Sequence, residues 1–264
     1  MNSHLTLVSL AAVAAFTSSV TQAGLSFDFR YDIPGGNGSL SSGTHLNVGA
    51  VYLFEDAVIV DSTPYDVKVT IEAFNNGAGL ANLDESLAAG GGFQANFQPR
   101  VTGIPANSPS VRFRWDFFNG TTGTPATLLN FAISTIDVDG QPNGSIRERR
   151  TFFGAGSFTL NNPTELTATV LPGAVRIDGA PREGTDISTE SSLAALIGYG
   201  DVGFVVFESG FVGTGTTSAS RQSSFQGDFA IDVPEVTVVP ESGTVAAGAA
   251  LAGLAALALR RRRA

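Results

Sequence analysis

Residues Val111–Phe118 read VRFRWDFF, with Val111, Phe113, Trp115 and Phe117 on one side of an extended chain and Arg112, Arg114, Asp116 and Phe118 on the other. A period of two fits a pleated strand with one buried face and does not fit a helix, whose faces repeat every 3.6 residues. The same alternation recurs in LSFDFRYD, which aligns Leu25, Phe27, Phe29 and Tyr31, and in YDVKVTIEAF, which aligns Tyr65, Val67, Val69, Ile71 and Ala73. ELTATV and FQGDFAID continue it. Between these segments lie PGGNGS, FNNGAG, NGTTGTP, DGQPNGS and LPG, clusters of the residues that tolerate turn conformations. Many short strands separated by turns define an all-β chain, expected as an antiparallel β-sandwich of jelly-roll type. Short helices are expected only at Leu80–Ala89 and Glu190–Ile197.

Composition narrows the chemistry. Cysteine is absent, which removes disulfides, cysteine-based zinc sites and a thiol nucleophile. Of the two histidines, His4 falls in the leader, so His45 is the one imidazole left for a mature domain, a poor basis for a serine triad. The net charge is −9, and four terminal arginines mask a stronger acidic bias in the body, where Lys68 is the one lysine. Such a surface repels nucleic acid and anionic lipid and suits divalent cations or neutral polymers. The 19 phenylalanines fall mostly on strand faces and are expected in the core, each buried ring contributing about 1.5–3 kcal/mol.

The two ends carry addresses. MNSHLTLVSLAAVAAFTSSVTQAG has an apolar run from Leu5 to Phe16 and small residues before a cut after Ala23, the pattern of a signal peptide over residues 1–23. Residues 24–232 form the expected exported domain, and 233–242 a tether. Gly243 to Leu259 is uncharged and, as a helix, spans roughly 26 Å, slightly less than the ~30 Å hydrocarbon core of a bilayer. Residues 260–264 then form a basic cytoplasmic tail containing Arg260, Arg261, Arg262 and Arg263.

Val239-Pro240-Glu241, the apolar run and the arginine cluster together resemble the PEP-CTERM sorting tail of exported Gram-negative proteins, with Ser242 where that family usually has a second proline. The resemblance implies signal peptidase and exosortase as processing partners, a transient inner-membrane intermediate, and delivery to the cell surface or extracellular matrix. It also implies a structural or adhesive, non-enzymatic role in which exopolysaccharide is the partner. Permanent tail anchoring in the periplasm is the alternative to exosortase cutting.

Three constellations in the body are candidates for chemistry. Asp137, Asp139, Asn143 and Glu148 have a spacing close to that of a calcium loop, with Glu148 twelfth from Asp137, although Pro142 stands where an EF-hand has glycine and the flanks read as strands. The reading is either a calcium site of another kind or a solvated hairpin loop whose acids pair with Arg147, Arg149 and Arg150. On the strand VRFRWDFF, Arg112, Arg114 and Asp116 beside Phe118 form either a sugar-binding face or an ordinary wet sheet face. Asp137 and Asp139, two apart on a strand and about 7 Å apart, would match the carboxylate pair of an inverting glycosidase, separated by ~6.5–9.5 Å. A carbohydrate-active enzyme is therefore the alternative function. Asn37, Asn119 and Asn143 head Asn-x-Ser/Thr triplets but read as Asn-Gly turns.

Overall fold

A computed structural model describes residues 25–31, 33, 35–84, 93–182, 187–227 and, for the backbone alone, 234–238. The leader with Ala23, the motif Val239-Pro240-Glu241, the apolar run 243–259 and Arg260–Arg263 lie outside the described residues. Among the described residues no helix is long and apolar enough to cross a membrane.

The strands are β1 (Leu25–Phe27), β2 (Gly38–Ser42), β3 (Val51–Val60), β4 (Thr63–Asn75), β5 (Gly79–Asn82) and β6 (Arg100–Gly103). They continue with β7 (Ser110–Asn119), β8 (Leu128–Ile136), β9 (Arg147–Phe153), β10 (Ser157–Asn161), β11 (Thr167–Leu171) and β12 (Ala174–Asp178). The last are β13 (Ala195–Val202), β14 (Phe204–Val212), β15 (Ala219–Gln222), β16 (Ser224–Gln226) and β17 (Pro234–Val238). A nine-stranded sheet runs β1-β3-β4-β7-β14-β9-β12-β11, with β2 also on β3. A five-stranded sheet runs β16-β8-β13-β10-β17, and a small one runs β15-β6-β5. All pairings between strands are antiparallel. From β7 to β14 the chain passes repeatedly between the two large sheets, so sequence neighbours end up on opposite layers.

The alternation of β7 is the reason it sits centrally. Val111, Phe113, Trp115 and Phe117 are fully buried while Arg112, Arg114, Asp116 and Phe118 face out. The buried rings meet the five-stranded sheet, with Phe117 4.8 Å from Phe131 of β8 and Phe207 of β14 4.7 Å from Phe225 of β16. Trp115 sits among Phe29 at 4.7 Å, Phe207 at 5.2 Å and Phe97 at 5.3 Å. Phe29 and Phe97 arrive from segments outside the strands and close one side of this aromatic slab. Turn chemistry matches: β11 and β12 join through Pro172-Gly173 with Leu171 opposite Ala174, and Gly173 has φ +72°, the left-handed value a proline-glycine turn needs.

Four expectations are corrected. A bulge after Ile71 sets Ala73 opposite the outward Arg112 and Phe74 opposite the inward Val111, so Ala73 leaves the face shared by Val67, Val69 and Ile71. The extra residue breaks the period of two. Residues 80–82 of the expected first helix belong to β5, and residues 85–89 lie outside the described residues. The second helix shrinks to one 3-10 turn, Ser191–Leu193, because Ala195 begins β13 and its buried Ala195 and Ile197 belong to the five-stranded sheet. Pro234–Val238, assigned to the tether, instead pairs with β10 from Asn161 to Ser157.

Candidate functional site

The outward residues of β4, β7, β14, β9 and β12 make one charged surface. Antiparallel register places Glu208 opposite Arg112, Phe204 and Lys68 on either side of Asp116, and Thr151 opposite both Glu208 and Arg176. Arg112 donates through Nε and Nη2 to Glu208 Oε1 at 2.9 and 2.8 Å, and Asn75 Nδ2 donates to the same oxygen at 3.1 Å. Arg114 donates to Asp116 at 2.7 Å, and this bond holds its guanidinium charged above the usual arginine range. Partly solvated ion pairs of this kind add little stability. The two arginine pairs hold flat guanidiniums over rings, Arg114 3.8 Å above Phe204 and Arg112 4.5 Å above Phe153, and the Lys68 ammonium lies 4.3 Å above Phe118.

Phe153 divides two recesses. One, of about 310 Å³, is walled by Arg112, Arg149, Thr151, Arg176 and Glu208. The other, of about 360 Å³, lies between Phe153, Tyr199, Asp201 and the 48% exposed Phe204. Arg112, Arg114, Asp116 and Phe118, grouped by the sequence alternation, thus share this face. Phe204, Glu208, Phe153, Arg149, Arg176 and Asp178 were missed as its companions. The alternation of Phe204, Val206 and Glu208 against Val205, Phe207 and Ser209 was the available signal, weakened by apolar residues on both faces.

The second constellation is interior. β8 ends at Ile136 and Asp137 has φ +56°, so Asp137 and Asp139 do not lie two apart along a strand, and the geometric basis of the paired-carboxylate enzyme is removed. Neither recess is lined by them. The 137–140 segment folds back along β9, where Glu148 N donates to Asp139 O at 2.7 Å. Asp139 and Glu148 are 4% and 3% exposed, and Arg150 is fully buried on the core side of β9. Arg150 pairs with Glu148 through Nη2 and donates through Nη1 to Gly210 O at 3.1 Å. Burial raises the Glu148 carboxyl to about 8, with Asp139 and Asp137 adding to the rise against the opposing pull of Arg150. Burial, followed by Asp139, likewise raises Asp137 to about 6.

The residues expected as a calcium loop lie in different surroundings. Asn143 is exposed and its Oδ1 accepts the Ser145 N–H at 2.9 Å, while Glu148 is engaged by Arg150. Among the described residues no three acidic or histidine side chains are placed to hold a metal ion. The three neighbouring arginines also differ from the expected solvated loop: Arg147 is exposed, Arg149 pairs with Asp178, and Arg150 is inside. His45 is exposed, with Nδ1 3.2 Å from the Tyr31 hydroxyl and 3.1 Å from that of Tyr52.

No protein-family model matches the chain, and no curated protein does. Among solved structures it is similar to the N-terminal domain of the Streptococcus gordonii adhesin Sgo0707, at 12% identity and a TM-score of 0.46, covering 78% of this chain and 63% of that one. It is similar also to the adhesin domain of PrgB from Enterococcus faecalis, at 12% identity and a TM-score of 0.45, covering 72% and 66%. The glucan binding protein C of Streptococcus mutans follows at 9% identity and a TM-score of 0.42, covering 77% and 64%. This chain thus spans somewhat under two thirds of the N-terminal domain of Sgo0707. Likeness of this order assigns no ligand.

Proposed function

We propose that the chain is an exported, non-enzymatic adhesive protein of the cell surface or matrix, which binds polysaccharide through the outer face of its nine-stranded sheet. The observation that carries the reading is the row of cations laid on rings across β4, β7, β14 and β9: Lys68 on Phe118, Arg114 on Phe204, Arg112 on Phe153. Ring faces pack against the C–H faces of sugars, and oriented N–H donors bond their hydroxyls. The repeated crossing between layers supports a jelly-roll-like sandwich. The sequence features at the two ends support delivery by signal peptidase and exosortase.

The test is migration of the purified chain through gels containing the host's extracellular polysaccharide. The wild type is expected to be retarded, and the double variant Phe204→Ala, Arg114→Ala to run freely while still melting in one cooperative transition, since the half-exposed Phe204 and the partly exposed Arg114 each contribute only about 1 kcal/mol. Free migration of the wild type, or release of new reducing ends from the polysaccharide, would refute the reading. Intact mass of the chain recovered from the host tests the sorting route: residues 243–264 are expected to be missing, and their retention would identify a permanent anchor.

A further inference from the structure

We infer that the recess beside Phe153 recognises acidic polysaccharide, seating the carboxylate of a uronic acid unit on Arg149 between Arg112 and Arg176. The inference rests on the polysaccharide-binding reading above and specifies the sugar. Its basis is the pairing of three arginines with two less exposed carboxylates. Asp178 accepts Arg149 Nε at 2.5 Å on one oxygen and Arg176 Nε at 3.1 Å on the other, and Glu208 holds Arg112. The acidic side chains are 11% and 17% exposed, and the arginine side chains paired with them are 29%, 30% and 38% exposed. The cations are therefore the more accessible partners at this recess, and three guanidiniums outnumber two carboxylates.

The donors are also unused in the right places. Among the described residues Arg149 bonds only through Nε, so neither Nη nitrogen has a partner there, and Arg149 lines the recess. Arg112 uses Nε and Nη2, and Arg176 uses Nε and, at 3.4 Å, Nη2 towards Thr169, which leaves Nη1 on each. Anchoring by Nε fixes the plane of each guanidinium before a ligand arrives, and a forked pair of N–H groups matches the two oxygens of a carboxylate. Thr151, Ser110 and Asn76 supply hydroxyl and amide partners along the same wall. On a chain of net charge −9 this is a local reversal of sign, so attraction depends on the fit of the recess and not on the overall field.

The experiment measures binding of the full chain to oligogalacturonate, to the same oligomer with its carboxyls methyl-esterified, and to dextran, with dextran sulfate and duplex DNA as further polyanions. The free acid is expected to bind about tenfold or more tighter than its ester, the loss of one charge-assisted hydrogen-bonded pair. Arg149→Gln is expected to lose about the same factor. Arg147→Gln removes an equal charge from the same strand outside the recess and is expected to change affinity by less than about twofold. Equal binding of acid and ester, or retention of the chain by the host polysaccharide with none on oligogalacturonate, would overturn the acidic specificity while leaving polysaccharide binding intact. Equal losses in Arg149→Gln and Arg147→Gln, or binding of DNA and dextran sulfate as tight as that of the uronate, would show simple polyanion attraction and overturn it as well. Should Arg149→Gln fail to fold, the acid-to-ester ratio on the wild type decides alone.

Discussion

Glu148 is placed so that its charge opposes folding, and Glu148→Gln isolates that effect. The side chain is 3% exposed, beside Asp137 and Asp139 and held by the fully buried Arg150. Raising a carboxyl from its ordinary 4.5 to about 8 corresponds to roughly 5 kcal/mol between its two protonation states, at about 1.36 kcal/mol per tenfold. Between those values the folded chain keeps a proton that the unfolded chain has released. Stability therefore falls as pH rises through this window, is unaffected by Glu148 below about 4.5, and carries the full cost above about 8. Asp137, raised to about 6, adds a change of the same sign over the lower part of the window.

Glutamine has the shape of the protonated acid and accepts the Arg150 N–H without a charge. Relaxation around the site reduces the measured effect, so Glu148→Gln is expected to be more stable than the wild type by about 2–4 kcal/mol near pH 9 and equal to it near pH 4.5. The assay is urea unfolding followed by far-ultraviolet circular dichroism at both pH values. If Glu148→Gln is less stable than the wild type near pH 9, the ionised Glu148–Arg150 pair is net stabilising and the reasoning fails; an equal change at both pH values would refute it too, by showing that Glu148 does not titrate across this window.

Chelation gives a further prediction. Because Asn143 is turned into its own loop and Glu148 is engaged by Arg150, EDTA is expected to leave the melting temperature of the purified chain unchanged. A fall that added calcium reverses would place a calcium site in the chain.

The strands and turns were legible where one face is apolar and the other polar, as in Val111–Phe118. The binding face was legible on β7 alone. Arg112 and Glu208 are 96 positions apart, and β14 enters between β7 and β9 only because the chain changes layers repeatedly. Period-two alternation gives the residues on each side of a strand and says nothing about which strand lies beside it. On β9 even the side was ambiguous: Glu148 and Arg150 share the inward face with Phe152, while Arg147 and Arg149 share the outward one. Charges occupy both sides, and Phe152 was the one mark of the interior. The bulge beyond Ile71 was masked because Ala73 is small and apolar and so fits the inward place that strict alternation assigns it.

The chain contains a single tryptophan, and it is the fully buried Trp115 at the centre of the aromatic slab. Its intrinsic fluorescence therefore reports on one place, the contact between the two large sheets, with no surface indole to dilute the signal. Arg112 and Arg114 alternate with Trp115 along β7 and project to the opposite side of the sheet. Sugar bound there meets no indole, so the emission maximum should follow unfolding faithfully and stay nearly silent to ligand. Separation of the two processes is thus built into the spectroscopy of the native sequence, without a label.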